Sequence, residues 1–512
     1  MSKGKVWLVG AGPSDVGLFT LKGKQVLEQA EVVVYDALVG HGVLAMVPKN
    51  AELVDVGKRA GHHTMPQEHI NRVLLEKAQE GKRVVRLKGG DPFLFGRGGE
   101  ELELLEEHGI DFEIVPGVTS AISVPAYNGI PVTHRDFCSS LHIITGHKKK
   151  GKEYDIDFEA LVRTKGTLVF LMGITAMEDI CSNLISAGMS PDMPAAVLQK
   201  GTSARQKRVV ATVGTLKAAS DAAKIETPAI IIVGKVCTVA EQFTWYEKLP
   251  LQGCRVLVTR PKELASRMAD QLREKGAEVV ELPAIQTGAI LDNKPLERAI
   301  ASIETYQWVV FTSQIGVRIF YEALKAAKVD VRRMAGLKIA VIGKGTKAEV
   351  ENHGMFVDLI PAVYDGESFG RELAAACRGG ERILIPRAKE GSQELIEELE
   401  KVDNLIIEDI PTYETVLVKS HLIDERKEFA AGNMDYAIFT SASTVRGFAA
   451  ATDGLDYSTV EAVCIGKQTA AEAKKLGMKI HISKVASIAS VAQLTEELYA
   501  EKKRGGCMMG AK

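Results

Sequence analysis

The sequence predicts an α/β protein, and three observations carry that reading. Short Val/Ile-rich runs alternate with longer helical stretches from end to end. Hydrophobic content of 46% and charged content of 25% are those of ordinary globular folds. A length of 512 residues leaves room for about three or four compact lobes.

In the first half, strands are expected at Val6–Gly10, Val32–Asp36, Val84–Leu87, Leu141–Thr145, Thr167–Leu171, Arg208–Val213 and Ala229–Val233. The segment Gln242–Gly253 mixes aromatic residues, Pro and Gly as a domain junction does, and a fresh strand opens at Arg255–Arg260. The boundary is placed near 250. The second half carries an internal echo. Val309–Val317 matches Ala437–Val445, and Ala340–Thr346 matches Val463–Thr469, a spacing of roughly 120–130 residues and too long for a solenoid. Two similar α/β lobes account for it, against the alternative of chance likeness between strand ends. Beyond Glu501 the tail lacks periodicity and is expected to be disordered.

Composition narrows the function. A formal charge of −2 gives no reason to expect nucleic acid or an acidic membrane as partner. Apolar runs such as Ala229–Val233 are too short to span a bilayer, and Met1–Gly10 passes into a strand with no room for a signal peptide. Seven scattered cysteines, without a Cys-x-x-Cys pair, suit a reduced cytosol and argue against a disulfide framework or a zinc site. His62 and His63 are adjacent and form no metal-binding helical pair.

The stretch Arg86-Leu-Lys-Gly-Gly-Asp-Pro-Phe-Leu-Phe-Gly-Arg-Gly-Gly-Glu-Glu101 is the most informative. A loop so rich in glycine lets a ligand approach the backbone, although an ordinary strand–turn–helix connection also fits. Val9–Asp15 invites a dinucleotide reading and fails it. The third glycine would fall on Asp15, and Pro13 removes an N–H that a pyrophosphate would use. Asp91, after two glycines at a strand end, suits ligand binding.

That glycine-rich string resembles the S-adenosylmethionine loop of the tetrapyrrole methylases, and its Gly-Arg-Gly-Gly-Glu-Glu ending resembles uroporphyrinogen-III C-methyltransferase. The resemblance covers about residues 3–247 and includes Gly10–Pro13, Val34–Val39, Val56–Gly61, Pro116–Ala121, Gly129–Asp136, Phe170–Gly173, Gly201–Ser203 and Thr227–Gly234. It implies a two-lobed methylase fold. The implied contacts to S-adenosylmethionine are Pro13, Gly89, Gly90, Asp91, Leu94, Thr119, Ser120, Met172, Gly201 and Ala229. Asp36 is implied as proton acceptor and Lys58 as proton donor, whereas Asp36 alone reads equally as a helix N-cap. Ser14 departs from the family, which usually has Gly there, and should be tolerated unless the backbone needs φ > 0. The substrate is rich in carboxylates, so Lys58, Arg59, Arg97 and Arg135 are natural partners for it.

Residues 253–500 resemble uroporphyrinogen-III synthase through Gly253–Pro261, Phe311–Val317, Ala340–Thr346, Leu384–Arg387, Tyr413–Thr415, Phe439–Ser441 and Ile465–Thr469. The resemblance implies two α/β lobes, one at about 253–285 plus 416–500 and the other at about 286–412. Tyr413 is the implied aid to departure of the hydroxyl, with Ser313, Thr346, Ser441 and Thr469 as binding candidates. Taken singly, each such Ser or Thr reads as a helix cap.

Together the resemblances imply a bifunctional enzyme of tetrapyrrole synthesis. It would cyclise hydroxymethylbilane to uroporphyrinogen III and methylate that twice to precorrin-2, needing no metal and no nicotinamide. The absence of a dinucleotide-binding segment implies that it stops short of oxidising precorrin-2. A homodimer through the methylase half and a cytoplasmic location are also implied. The alternative is a methylase whose C-terminal half only binds tetrapyrrole or mediates oligomerisation.

Overall fold

Stretches of β-branched residues become strands that are buried on both faces, the environment of a parallel sheet covered by helices. Val32–Tyr35, Thr167–Leu171, Ala229–Val233 and Arg255–Thr259 are buried along their whole length. The computed structural model, which describes residues 3–57, 65–146, 155–259, 262–282, 285–417 and 425–509, forms four five-stranded sheets from such runs. The fold class expected from the sequence is the one found.

The first sheet comprises β1 (Lys5–Gly10), β2 (Val32–Tyr35), β3 (Glu52–Asp55), β4 (Arg83–Lys88) and β5 (Asp111–Val115). It is wholly parallel, in the order β3-β2-β4-β1-β5. Alternate residues point to opposite faces. Val9, Val33 and Leu87 pack with Leu27 of the helix Leu21–Leu27, whereas Leu8, Val34 and Val84 pack with Leu105 of the helix Gly98–Glu107. The neighbouring strands β1 and β4 therefore send their connections to opposite faces. That divergence opens a crevice at their carboxyl ends, where open α/β sheets bind ligands.

The second sheet comprises β6 (Leu141–Thr145), β7 (Thr167–Leu171), β8 (Pro194–Gln199), β9 (Lys207–Thr212) and β10 (Ala229–Val233), in the order β6-β7-β10-β8-β9. Only the β6–β7 pairing is parallel. The third contains β11 (Arg255–Thr259) and β12 (Glu278–Leu282) from early in the second half. The fourth is built from β13 (Ile285–Ala289), β14 (Trp308–Phe311), β15 (Lys338–Val341), β16 (Arg382–Ala388) and β17 (Ile406–Leu417). The chain then supplies β18 (Tyr436–Phe439), β19 (Glu461–Cys464) and β20 (Lys479–Ile482), which complete the third sheet as β12-β11-β18-β19-β20. The fourth has the order β13-β17-β16-β14-β15, with β13 and β17 antiparallel.

The internal echo is structural. In each copy a strand ends in a Ser-bearing turn into a helix, and a parallel neighbouring strand ends in an extended glycine that starts the next helix. Those glycines are Gly343 and Gly466, with φ −170° and −168°.

One compact unit holds residues 1–282, 420–445 and 452–512, and the other holds 283–419 and 446–451. The first unit thus contains three sheets. Tyr246 in the segment 242–253 is buried, and its ring lies 5.0 Å from that of Tyr127. Ala204 N–H donates to Glu278 Oε2 at 3.1 Å, joining the loop after β8 to β12. The tail corrects an expectation: the helix Ile488–Met509 continues past Glu501. Lys502 Nζ donates to Asp435 Oδ1 at 2.6 Å, and Lys503 sits over the Tyr499 ring at 4.8 Å, contacts that the tail's lack of periodicity conceals.

Arg255 supplies a test of the third sheet. Its buried guanidinium donates to Glu278 Oε1 at 2.7 Å and to Glu428 Oε2. Arg255→Met should lower the stability of the first unit by about 2–3 kcal/mol, because charge-assisted bonds of two elements are lost together. Urea unfolding monitored by circular dichroism would read the drop.

Candidate functional site

The crevice between β1 and β4 is walled by backbone. Gly12 N–H donates to Gly90 O at 3.2 Å, and Gly90 N–H donates back to Gly12 O at 2.8 Å. A Cβ on Gly117 would stand 2.2 Å from Gly90 O and 2.6 Å from Gly10 Cα. On its other side Gly90, at φ +69°, has open space for at least 4 Å around the position of a Cβ. The wall is thus close-packed behind and open in front, as backbone approach by a ligand requires.

Asp91 knits this wall. Its Oδ2 accepts from Gly117 N–H at 2.9 Å, and its Oδ1 accepts from Phe93 and Leu94 N–H at 2.9 and 3.1 Å. Thr119 caps the helix Ser120–Tyr127 by accepting from Ala121 N–H at 3.2 Å, with Ser120 as the first helical residue. Leu94 packs against the apolar cluster that contains Ala121 and Val124 of that helix. Pro13 precedes Ser14, whose φ of +152° is a conformation suited to glycine. The departure at Ser14 therefore falls where the backbone needs positive φ, and it stores strain at the crevice.

Met172 follows β7, Gly201 follows β8, and Ala229 opens β10. Antiparallel register sets Ala229 opposite Gln199 and Ile231 opposite Phe170, which draws these three positions to one edge of the second sheet. Lys200, Thr202 and Met172 all have left-handed backbones, at φ +45°, +67° and +56°. A latch joins this edge to the first. Asp15 N–H donates to Thr202 Oγ1 at 3.3 Å, and Tyr127 Oη donates to Asp15 Oδ2 at 2.7 Å. Gln206 completes it, accepting from Thr202 N–H at 2.9 Å and donating to Tyr127 O at 3.1 Å. Burial, and then Asp15, raises the Tyr127 phenol far above its ordinary value, so it remains a donor. A Cβ on Gly201 would meet Val124 at 2.3 Å. The ten residues implied as cofactor contacts thus form two groups on adjoining edges.

Asp36 follows β2 at the mouth of the crevice. It caps no helix, since Gly40 starts the helix His41–Leu44, and it accepts instead from Leu38 N–H at 3.0 Å and Gly89 N–H at 3.3 Å. Lys58, and Arg59 beside it, lie outside the described residues. Arg97, at φ +60°, pairs with Glu100, which raises the guanidinium pKa further, and its side chain is half exposed. Arg135 is exposed. Arg86, Lys88 and Glu101 are charged, buried behind Asp36, and missed by the sequence reading. Their signal was two cations two positions apart in the buried part of a central strand, where an unpaired charge is not tolerated.

In the second unit Tyr413 Oη and Ser313 Oγ are hydrogen-bonded at 2.7 Å. Ser313 also caps the helix Gln314–Ala326 by accepting from Gly316 N–H at 3.0 Å. Tyr413 is buried, and that burial raises its phenol, with Ser313 opposing. Thr346 is buried in the first turn of the helix Lys344–Asn352. In the first unit Ser441 accepts from Thr444 N–H at 3.3 Å, and Thr469 is buried in the first turn of the helix Lys467–Lys475. The capping role weighed for these residues is present at Ser313 and Ser441.

Residues 5–217 match the family described as Tetrapyrrole (Corrin/Porphyrin) Methylases, and residues 266–493 match the one described as Uroporphyrinogen-III synthase HemD. The chain is 45% identical to the porphyrin biosynthesis protein HemD of Ruminiclostridium josui over 491 residues, 96% of this chain and 97% of the relative. Identity to the uroporphyrinogen-III C-methyltransferase of Bacillus subtilis (strain 168) is 42% over 362 residues, 70% of this chain and 74% of the relative. The siroheme synthase of Salmonella typhimurium is 52% identical over 247 residues, 48% of this chain and 52% of that one.

Two glycine exchanges should act with opposite sign. Gly117→Ala forces a methyl group into backbone and should destabilise by about 1–3 kcal/mol. Ser14→Gly relieves the unfavourable φ and should stabilise by about 1 kcal/mol. Thermal unfolding of the two variants beside the wild type checks both signs.

Proposed function

The chain belongs to the tetrapyrrole methylases through its first half and to the uroporphyrinogen-III synthases through its second, and on that premise we propose that it cyclises hydroxymethylbilane to uroporphyrinogen III and methylates the product twice to precorrin-2. The observation that carries the reading is the succession of both family matches along one chain, with one relative similar across nearly its whole length. The two activities are consecutive, since the product of one is the substrate of the other.

For methyl transfer, S-adenosylmethionine supplies, when bound, a methyl group on a cationic sulfur. The donor has no phosphate, which agrees with a crevice entered past Pro13 and a strained Ser14 where a pyrophosphate cradle would need free N–H groups. The open face of Gly90 admits the donor against backbone, while Asp91 and Thr119 hold the two loops that flank it. The chain's main task is alignment of carbon, methyl and sulfur, a proximity effect. Asp36, at the mouth, takes the proton released as a pyrrole carbon is methylated, and Lys58 returns one. Arg97 and Arg135 receive substrate carboxylates.

In cyclisation, Tyr413 donates a hydrogen bond to the departing hydroxyl. Its raised phenol pKa means that the donating form persists through the neutral range and is lost only as pH rises through that raised value. Ser313 fixes the ring oxygen at 2.7 Å. Thr346, Ser441 and Thr469 complete the proposed binding set. Neither reaction is a redox step, so neither calls for nicotinamide, and an electron-rich pyrrole attacking a sulfonium needs no metal. A homodimer through the methylase half, a cytoplasmic location and the absence of nucleic-acid partners belong to the same proposal. Among the described residues no helix is long and apolar enough to cross a membrane.

Supplied with uroporphyrinogen III and labelled methyl donor, Asp36→Asn should transfer methyl groups about 10²–10⁴ times more slowly while binding the donor as the wild type does. A rate within a few-fold of wild type would return Asp36 to a structural role. Tyr413→Phe should let more bilane close spontaneously to the type I isomer, with methylation of supplied uroporphyrinogen III unaffected. Chromatography of the isomers reads this directly. An unchanged isomer ratio would remove Tyr413 from the reaction.

A further inference from the structure

Behind the mouth of the crevice lie three buried charges to which the mechanism above gives no work. The side chains of Arg86, Lys88 and Glu101 are 4%, 6% and 0% exposed. One oxygen, Glu101 Oε1, accepts from Lys88 Nζ at 2.7 Å, Arg86 Nε at 3.2 Å and Gln67 Nε2 at 3.1 Å. Two cations therefore share one carboxylate, and the trio carries one net positive charge. A buried charge without a counter-charge is costly. The carboxylate at the open side of this trio is Asp36, with Oδ2 3.9 Å from Arg86 Nη2 and a side chain 26% exposed.

We propose that Arg86, Lys88 and Glu101 are positioning residues for methyl transfer: a buried trio whose single net positive charge lies directly behind the Asp36 carboxylate and holds it in place beside Gly89. The inference rests on the reading of Asp36 as proton acceptor. Arg86 is fixed in place, since its Nη1 also donates to Val34 O at 3.3 Å and Leu87 O at 3.1 Å. The charge is thus set before substrate arrives, and no reorganisation is needed as the proton moves. Burial and Arg86 lower the Lys88 ammonium, while Glu101 and Asp36 support it.

The arrangement offers variants that spare the fold. Arg86→Met leaves Lys88 paired with Glu101, and Lys88→Met leaves Arg86 paired with Glu101, so each retains a balanced ion pair. Arg86→Lys keeps both positive charges. Single-turnover methylation of uroporphyrinogen III by the full chain would be measured beside the calorimetric Kd for S-adenosylmethionine. Both Met variants should lose about tenfold in rate, with donor Kd within about twofold of wild type. Arg86→Lys should recover most of the rate. A wild-type rate in Lys88→Met, no recovery in Arg86→Lys, or a loss that tracks donor Kd, would overturn the trio's role. A wild-type rate in Asp36→Asn would instead overturn the assignment of Asp36, and the trio's role with it.

Discussion

Two neighbouring parallel strands whose connections leave on opposite faces set the terms for the methylase half. Because β1 and β4 lie side by side, the loops after them must pass one another at the same edge, and they bond to each other through Gly12 and Gly90. Gly117 brings the loop after β5 against the same point, with 2.2 Å between the position of its missing Cβ and Gly90 O. Only glycine fits where three backbones meet so closely. The other features follow from that constraint. Asp91 is spent largely on holding the loops together, the left-handed residues gather at the facing edge, and the Asp15–Thr202 latch closes one edge on the other.

The synthase half uses a different device, repetition. Strand, Ser-capped turn, helix, strand and glycine-started helix occur twice, so the same local chemistry is presented in the first and the second unit. Tyr413 has no counterpart in that repeat. It sits on β17, the long strand that pairs with β13 as the chain returns from the second unit. The methylase sheets and the third sheet share one compact unit, tied at Ala204 and Glu278. The first half is also 52% identical to part of a siroheme synthase, a relative of which the matched region is about half.

Much of this was legible in the sequence, and the parts that were not share physical reasons. Strands buried on both faces, such as Val32–Tyr35 and Ala229–Val233, announce themselves as unbroken apolar runs. The two edge strands of the first sheet do not: Glu52–Asp55 and Asp111–Val115 are part-exposed and open on acids. Pro194–Gln199 is buried, but it opens with Pro and two alanines, which carry little strand signal. The glycine-rich loop was plain, whereas the partnership of Arg86 and Lys88 with Glu101 spans 13 to 15 residues and two elements, and no local pattern encodes it. Ser14 could be flagged only as a condition, because its φ of +152° belongs to the backbone and not to the residue type. The tail was misread since its order comes from Asp435, in another part of the chain.

Two consecutive reactions on one chain need only the first substrate and the methyl donor to be supplied. The most direct measurement supplies the full chain with hydroxymethylbilane and S-adenosylmethionine alone and analyses the product by mass and by isomer type. The expected product is a type III macrocycle bearing two added methyl groups, formed without a second enzyme, metal or nicotinamide. A type I macrocycle as the sole product would contradict it, and would leave the C-terminal half as a binding module attached to a methylase.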